Sequence, residues 1–238
     1  MNVSALICAA TFSFGPSPNP TVVDLDRDGR LDSVRVEFGA DKWRYTIFVN
    51  DQRVEDHGEV LLGTFGIVDI DTTDAFLEIA IPQEGPSDDY EVHFHYYDGH
   101  GIRKVGSVPG TTRMRFNGLG RIYTECRGQI LHTWFCPCVF ALERDHRLEQ
   151  LRQSLYQMGT RCTVKRAFPL AVSQTDSTTI TVLQPGDKVV ILATDDKSWC
   201  LVETEDATWG WFKISGYDSV LPPHVRASEV FEGLSYAD

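Results

Sequence analysis

The chain has 238 residues and a mass of 26.8 kDa, room for one or two domains, and its 42% hydrophobic and 11% aromatic content supplies ordinary core material. Its 22 Lys and Arg against 34 Asp and Glu give a formal net charge of −12 and a pI near 5.0, which argues against nucleic acid or an anionic membrane as main partner. Mean hydropathy is −0.20, and no apolar run reaches the length a membrane-spanning helix requires.

Met1 to Gly15 has no Lys or Arg before its apolar stretch, so it makes a poor secretory signal, and bulky Ile7 before Cys8 does not suit a lipoprotein site. The six cysteines are too sparse for a disulfide scaffold and leave the compartment open. From Val22 the chain begins to repeat. Val22 to Phe38 runs apolar, Asp, apolar, Asp, polar turn and alternating strand, and Ile67 to Ile81 echoes it. Aligning Asp24 with Asp69 gives a period of roughly 45 residues, the size of a propeller blade or related β-repeat. A weaker third copy, Met114 to Tyr123, has lost its acids. Short strands between these copies (44–49, 90–97 and 102–108) are bounded by the turn pairs Asn50-Asp51, Asp98-Gly99 and Pro109-Gly110. Residues 1–141 therefore read as a β-repeat domain of about three repeats.

Residues 142–158 read as a linker. Leucines at 148, 151 and 155 suit an amphipathic helix, and an extended segment is the open alternative. After Gly159 five short strands separated by polar or Pro-Gly turns fill about 55 residues, the size of a small closed barrel. That barrel is expected over 159–218, with an acidic, aromatic tail over 219–238. The expected fold class is all-β.

The sharpest motif is Asp24-Leu-Asp26-Arg-Asp28-Gly-Arg30-Leu-Asp32. Carboxylates at positions 1, 3 and 5, Gly at 6 and a carbonyl at 7 wrap a hard cation in oxygen. Gly29 supplies the sharp turn, Arg30 offers its carbonyl, and Asp32 is placed to close the shell. Position 12 is Arg35 instead of Glu, and the loop leads into a strand, so this is a β-type calcium loop and not an EF-hand. A plain acidic turn that binds nothing is the competing reading, although its clustered carboxylates repel each other without a cation. Asp69, Asp71 and Asp74 form a second, weaker acidic loop without the Gly, where fewer charges and no sharp turn favour capping of turn amides over a cation. The expected cofactor is a structural Ca2+.

His93 and His95 share one face of a strand, read as solvent-facing, and His100 follows beyond the turn; no third metal ligand is fixed by spacing. Cys136-Pro-Cys138 is too tight for a zinc knuckle and lacks redox CxxC spacing. No G-x-S-x-G, H-E-x-x-H, P-loop or dinucleotide fingerprint occurs, so no enzymatic role is expected. In the C-terminal part Trp199, Trp209, Trp211 and Phe212 offer an aromatic ligand groove, and alternation puts Trp209 and Trp211 on one face with Phe212 on the other.

Leu183-x-x-Gly186-x-x-Val189, then Trp199-x-x-Val202, then Gly210-Trp211-Phe212 resembles the bacterial SH3 (SH3b) family over about residues 159–215. The usual Asn-Val-Arg-Ser-Gly-Pro stretch is replaced by Phe168-Pro-Leu-Ala-Val-Ser173, where the family often shapes its ligand groove. Residues 22–38, and more weakly 67–81, resemble VCBS/FG-GAP repeats, whose Asp-rich loops bind calcium in propeller blades. The whole is similar to repeat-bearing SH3 proteins of Gram-positive bacteria. The resemblance implies a non-enzymatic, extracytoplasmic binding protein, secreted or in the cell envelope, with peptidoglycan or a protein or peptide ligand as partner. The alternatives are a protein-interaction or regulatory subunit without wall affinity, or accessory domains of an envelope hydrolase.

Overall fold

A computed structural model describes residues 15–85, 89–110, 114–222 and 224–236. Met1 to Phe14, the stretch read as a poor secretory signal and the one that carries Cys8, lie outside the described residues, as do Pro223 and the last two residues of the tail. The protein is nearly all β, 54% strand with one short helix, as expected. It divides into two compact units, residues 1–125 with 137–151, and residues 126–136 with 152–238.

The first unit is built from successive antiparallel sheets. β1 (Thr21–Val23), β2 (Asp32–Phe38), β3 (Arg44–Val49) and β4 (Gln52–His57) form one in sequential order. The second comprises β5 (Val60–Leu61), β6 (Gly66–Val68), β7 (Glu78–Glu84), β8 (Tyr90–Tyr97) and β9 (Ile102–Pro109), ordered β5-β7-β8-β9 with β6 also on β7. The third is β10 (Arg115–Phe116), β11 (Arg121–Arg127), β12 (Phe135–Leu142) and β13 (Leu148–Gln150), again in sequential order. Each contains one of the three repeats. Strict alternation drives the pairing: Val34 lies opposite Val49 and Val36 opposite Ile47, all buried, while Arg35 turns outward and stacks on Phe48 at 3.9 Å. These side chains share one core with Leu61, Phe65, Ile79, Ile81 and Tyr97 of the second repeat.

Two findings concern the middle of the chain, where the sequence left a helix and an extended segment open. Residues 142–158 are extended, not helical. Phe140 pairs with Gln150 and Leu142 with Leu148, and His146 takes a positive φ of 60° in the intervening turn, which a helix cannot contain. The linker is thus the end of the third repeat plus the start of the next sheet. The loop before it, 128–134, supplies Ile130 and Leu131 to the core of the second unit, which is why 126–136 group there.

The second unit holds β14 (Tyr156–Val164), β15 (Phe168–Ala171), β16 (Thr179–Leu183), β17 (Lys188–Thr194), β18 (Trp199–Thr204), β19 (Trp209–Ser215), β20 (Ser219–Leu221), β21 (Val225–Arg226), α1 (Ala227–Val230) and β22 (Phe231–Glu232). They form one nine-stranded sheet, β16-β15-β19-β18-β17-β14-β22, with β20 and β21 branching from β19. Neither a closed barrel nor a propeller is seen among the described residues: β16 and β22 end this sheet unpaired to each other, and the three repeat sheets remain separate ladders. The tail is part of this unit, since Val230 and Phe231 enter its core. Phe168, Phe212 and Phe231 stack there at centroid distances of 5.3 to 5.7 Å. Replacing Phe212 with Ala is expected to cost about 3–5 kcal/mol, measured by urea unfolding.

A polar network lies between the first two repeats, and it buries the histidines read as solvent-facing. His93 Nδ1 meets the Tyr45 hydroxyl at 3.0 Å, and Tyr45 donates to Asp56 at 3.1 Å. Lys104 reaches the same Asp56 oxygen at 2.7 Å, and Gln83 donates to Glu91 at 2.7 Å. His95, 1% exposed, has no hydrogen-bond partner on either ring nitrogen, and its Nε2 lies 3.4 Å from Asp56 without hydrogen-bond alignment. Burial lowers the pKa of His95, and likewise that of His132 in the second unit. On acidification the unfolded chain, with imidazoles near 6.5, takes up protons before the folded chain does. Stability is therefore full above about pH 6.5 and falls below it. Melting temperature is expected to drop between pH 7.5 and 5.5, and less steeply in His95→Phe.

Candidate metal centre

The loop between β1 and β2 is shaped by its own carboxylates. Asp24 Oδ2 accepts the Gly29 amide at 3.0 Å, Asp26 Oδ1 the Asp28 amide at 3.3 Å, and Asp28 Oδ1 the Arg30 amide at 2.7 Å. Each acid is thereby anchored through one oxygen, the pattern in which Asp stabilises a turn. Arg27 and Gly29 take positive φ values of 52° and 87°, so the sharp turn falls where the Gly predicted it. One carboxylate oxygen from each of Asp24, Asp26 and Asp28 lies within 4.8 Å of the others. Asp24 Oδ1 is buried and has no hydrogen-bond partner. Burial raises the Asp26 pKa, as do the charges of Asp28, Asp32 and Asp24, although the Asp28 amide opposes them. An orphaned buried oxygen beside two further carboxylates fits a hard cation with oxygen ligands.

Asp32 does not join them. Its Oδ2 accepts the Leu25 amide at 2.9 Å and its Oδ1 the Asn50 side chain at 2.8 Å, so it ties the start of the loop to β2. Arg30 sits exposed in the same turn. Gly99, in the turn after β8, covers the loop from the next repeat. A Cβ there would stand 2.8 Å from Asp26 Oδ2, and its φ of 80° already favours glycine.

In the second acidic loop Asp69 Oδ1 is likewise buried without a hydrogen-bond partner, but among the described residues Asp69, Asp71 and Asp74 do not converge as the first three acids do. Arg27 reaches across from the first loop: its guanidinium pairs with Asp69 at 2.5 Å and also donates to the carbonyls of Thr72 and Asp74. Asp71 caps the amide and hydroxyl of Thr73, and Asp74 caps the amide of Phe76. An arginine side chain thus supplies the positive charge at this loop. In the third copy Asn117 caps Leu119 and Arg121 without any charge.

Of the proposed ligand-groove residues, Trp199, Trp209 and Trp211 lie on the outward face of β18 and β19, paired across the strands with Lys213, Glu203 and Leu201 respectively. Trp209 is 56% exposed and donates to Glu203 at 2.8 Å. Phe212 points the other way, is 1% exposed, and belongs to the core, so it offers nothing to a ligand. Sequence reasoning did not find a second group, Asp74, Glu78 and His146, because it spans 72 positions of chain and no motif joins them.

Cys162 and Cys200 are buried thiols raised to about 11 and about 12 by desolvation, too high for ready thiolate chemistry. Cys136 is also free and buried, whereas Cys126 and Cys138 are disulfide-bonded.

Calcium at 100 times its dissociation constant would add about 2.7 kcal/mol to stability. A calcium-dependent rise in melting temperature is expected, and Asp26→Ala, Asp28→Ala and Gly99→Ala should each reduce or abolish it. Compared with family models, curated proteins and solved structures, the chain matches none of them.

Proposed function

We propose that the chain is a non-enzymatic extracytoplasmic binding protein, its first repeat ordered by a structural Ca2+ and its second unit carrying the ligand surface. The observation that carries this reading is a cross-strand row on the outward face of the nine-stranded sheet. Arg161 pairs with Val190, Val190 with Glu203, and Glu203 with Trp209, four strands in succession. A cleft of about 390 Å³ opens along the Arg161, Val190 and Glu203 part of this row, with Lys188, Glu205 and Glu232 also on its walls. Both signs of charge in the cleft suit a peptide that carries amine and carboxylate groups, as the stem peptides of peptidoglycan do, and Glu203 on its wall also holds the indole of the exposed Trp209 at the end of the row. That Cys126 and Cys138 are each disulfide-bonded supports an oxidising compartment. No helix among the described residues is long and apolar enough to cross a membrane.

A protein partner is the second reading, favoured by one observation. Strand β16 ends the sheet with a free edge and exposes Ile180 and Val182, a geometry suited to strand addition by another polypeptide.

Co-sedimentation with Gram-positive peptidoglycan sacculi, in calcium and in chelator, separates the two. Retention in the pellet, weakened by Trp209→Ala and Trp211→Ala, is the expected outcome. Absence of retention under both conditions removes the wall ligand and leaves the protein partner.

A further inference from the structure

Glu78 opens β7 with its side chain 0% exposed, so both of its oxygens need partners inside the protein. Oε2 accepts the backbone amide of Ile70 at 3.0 Å. Oε1 faces His146 Nε2 at 3.2 Å, and the same nitrogen lies 3.9 Å from Asp74 Oδ2. The other Asp74 oxygen accepts the Phe76 amide at 2.8 Å. Two carboxylates are thus each anchored by a backbone amide through one oxygen, and each presents the other to a single imidazole nitrogen. The ring itself is held between Phe76, edge-on at 5.0 Å, and Tyr96 at 4.2 Å.

We propose that Asp74 Oδ2, Glu78 Oε1 and His146 Nε2 bind a divalent transition metal of the zinc type. Ligand bonds of about 2.0–2.2 Å in a tetrahedron set neighbouring ligand atoms about 3.4 Å apart. The observed 3.2 and 3.9 Å bracket that edge, and the three ligand atoms lie within 4.8 Å of one another. The imidazole distinguishes this group from the Asp24–Asp28 loop, whose candidate ligands are all carboxylate oxygens. Oxygen-only sites suit calcium, whereas one imidazole with two carboxylates suits zinc and its first-row neighbours. His146 Nε2 and Glu78 Oε1 are within hydrogen-bond distance, and that is the contact a bound cation would replace. The amides of Ile70 and Phe76 and the two aromatic walls orient the ligands from outside, the arrangement metal sites use to fix geometry. Asp74 remains 25% accessible at its side chain, leaving a route for the ion and room for water as fourth ligand.

This site is separate from the calcium loop and from the ligand face, and it stands or falls without them. The full chain, stripped with chelator, is titrated with Zn2+ by calorimetry and with Co2+ by its visible d–d absorption. One equivalent of Zn2+ that resists millimolar Ca2+ and raises the melting temperature is expected. His146→Asn tolerates the positive φ of the turn and removes the imidazole; it should lower Zn2+ affinity by more than about tenfold while its metal-free melting temperature stays near wild type. Asp28→Ala should leave Zn2+ binding intact even as it abolishes the calcium response. Zn2+ binding equal in wild type and His146→Asn, or none in either, overturns the proposal and leaves a proton on His146 as the partner of the two carboxylates.

Discussion

A carboxylate at the start of the second strand in a repeat accepts the backbone amide just after the first acid of the preceding loop. Asp32 does this for Leu25 at 2.9 Å and Glu78 for Ile70 at 3.0 Å. The tie returns the loop onto its own sheet while satisfying a buried amide, and a hydrogen bond to an ionised acceptor is among the stronger ones a protein makes. Its consequence is that each acidic loop is anchored to its own sheet through a carboxylate acceptor. Leu25 and Ile70 can then be fully buried, which joins each loop to the hydrophobic core beneath it.

Such loops concentrate negative charge, and the three repeats resolve it differently. The first keeps three carboxylates close together, one of them with a buried, unpartnered oxygen, and covers them with Gly99 of the next repeat. The second draws Arg27 from the first loop onto Asp69 and leaves Asp74 and Glu78 to His146, which comes from the β12–β13 turn. The third replaces acid with Asn117 and carries no carboxylate. Successive repeats therefore bind one another through their loops: the Thr72 amide donates to the Gly118 carbonyl at 3.0 Å, and Gly120 to Ile70 at 2.9 Å. Electrostatic balance and inter-repeat cohesion are the same set of contacts.

The second unit assigns its two faces by alternation. Phe212 and Ile214 point into the core, where Phe168 and Phe231 close around the first of them, while Trp209, Trp211 and Lys213 face out. Glu203 holds the Trp209 indole nitrogen, which orients an exposed ring that would otherwise be free to rotate. An ordered indole at the end of a mixed-charge row loses less entropy on meeting a ligand than a mobile one.

The sequence alone determined the all-β class, the Asp24–Asp28 turn with its required glycine, and the opposed faces of Trp211 and Phe212. These are local properties, set by alternation and turn chemistry within a few residues. Tertiary structure decided everything that depends on residues distant in the chain. It spent Asp32 on Leu25 and Asn50, brought Arg27 to Asp69, and buried His93 and His95 against Tyr45 and Asp56. It also made 142–158 extended, because pairing of Phe140 with Gln150 outweighs the helical spacing of three leucines. Helical periodicity and a strand with a turn share the same leucine spacing over so short a stretch, and only the neighbouring strand chooses between them. The Asp74, Glu78 and His146 group belongs to the same class: no spacing rule links positions 78 and 146, and only the stacking of repeats brings their side chains together.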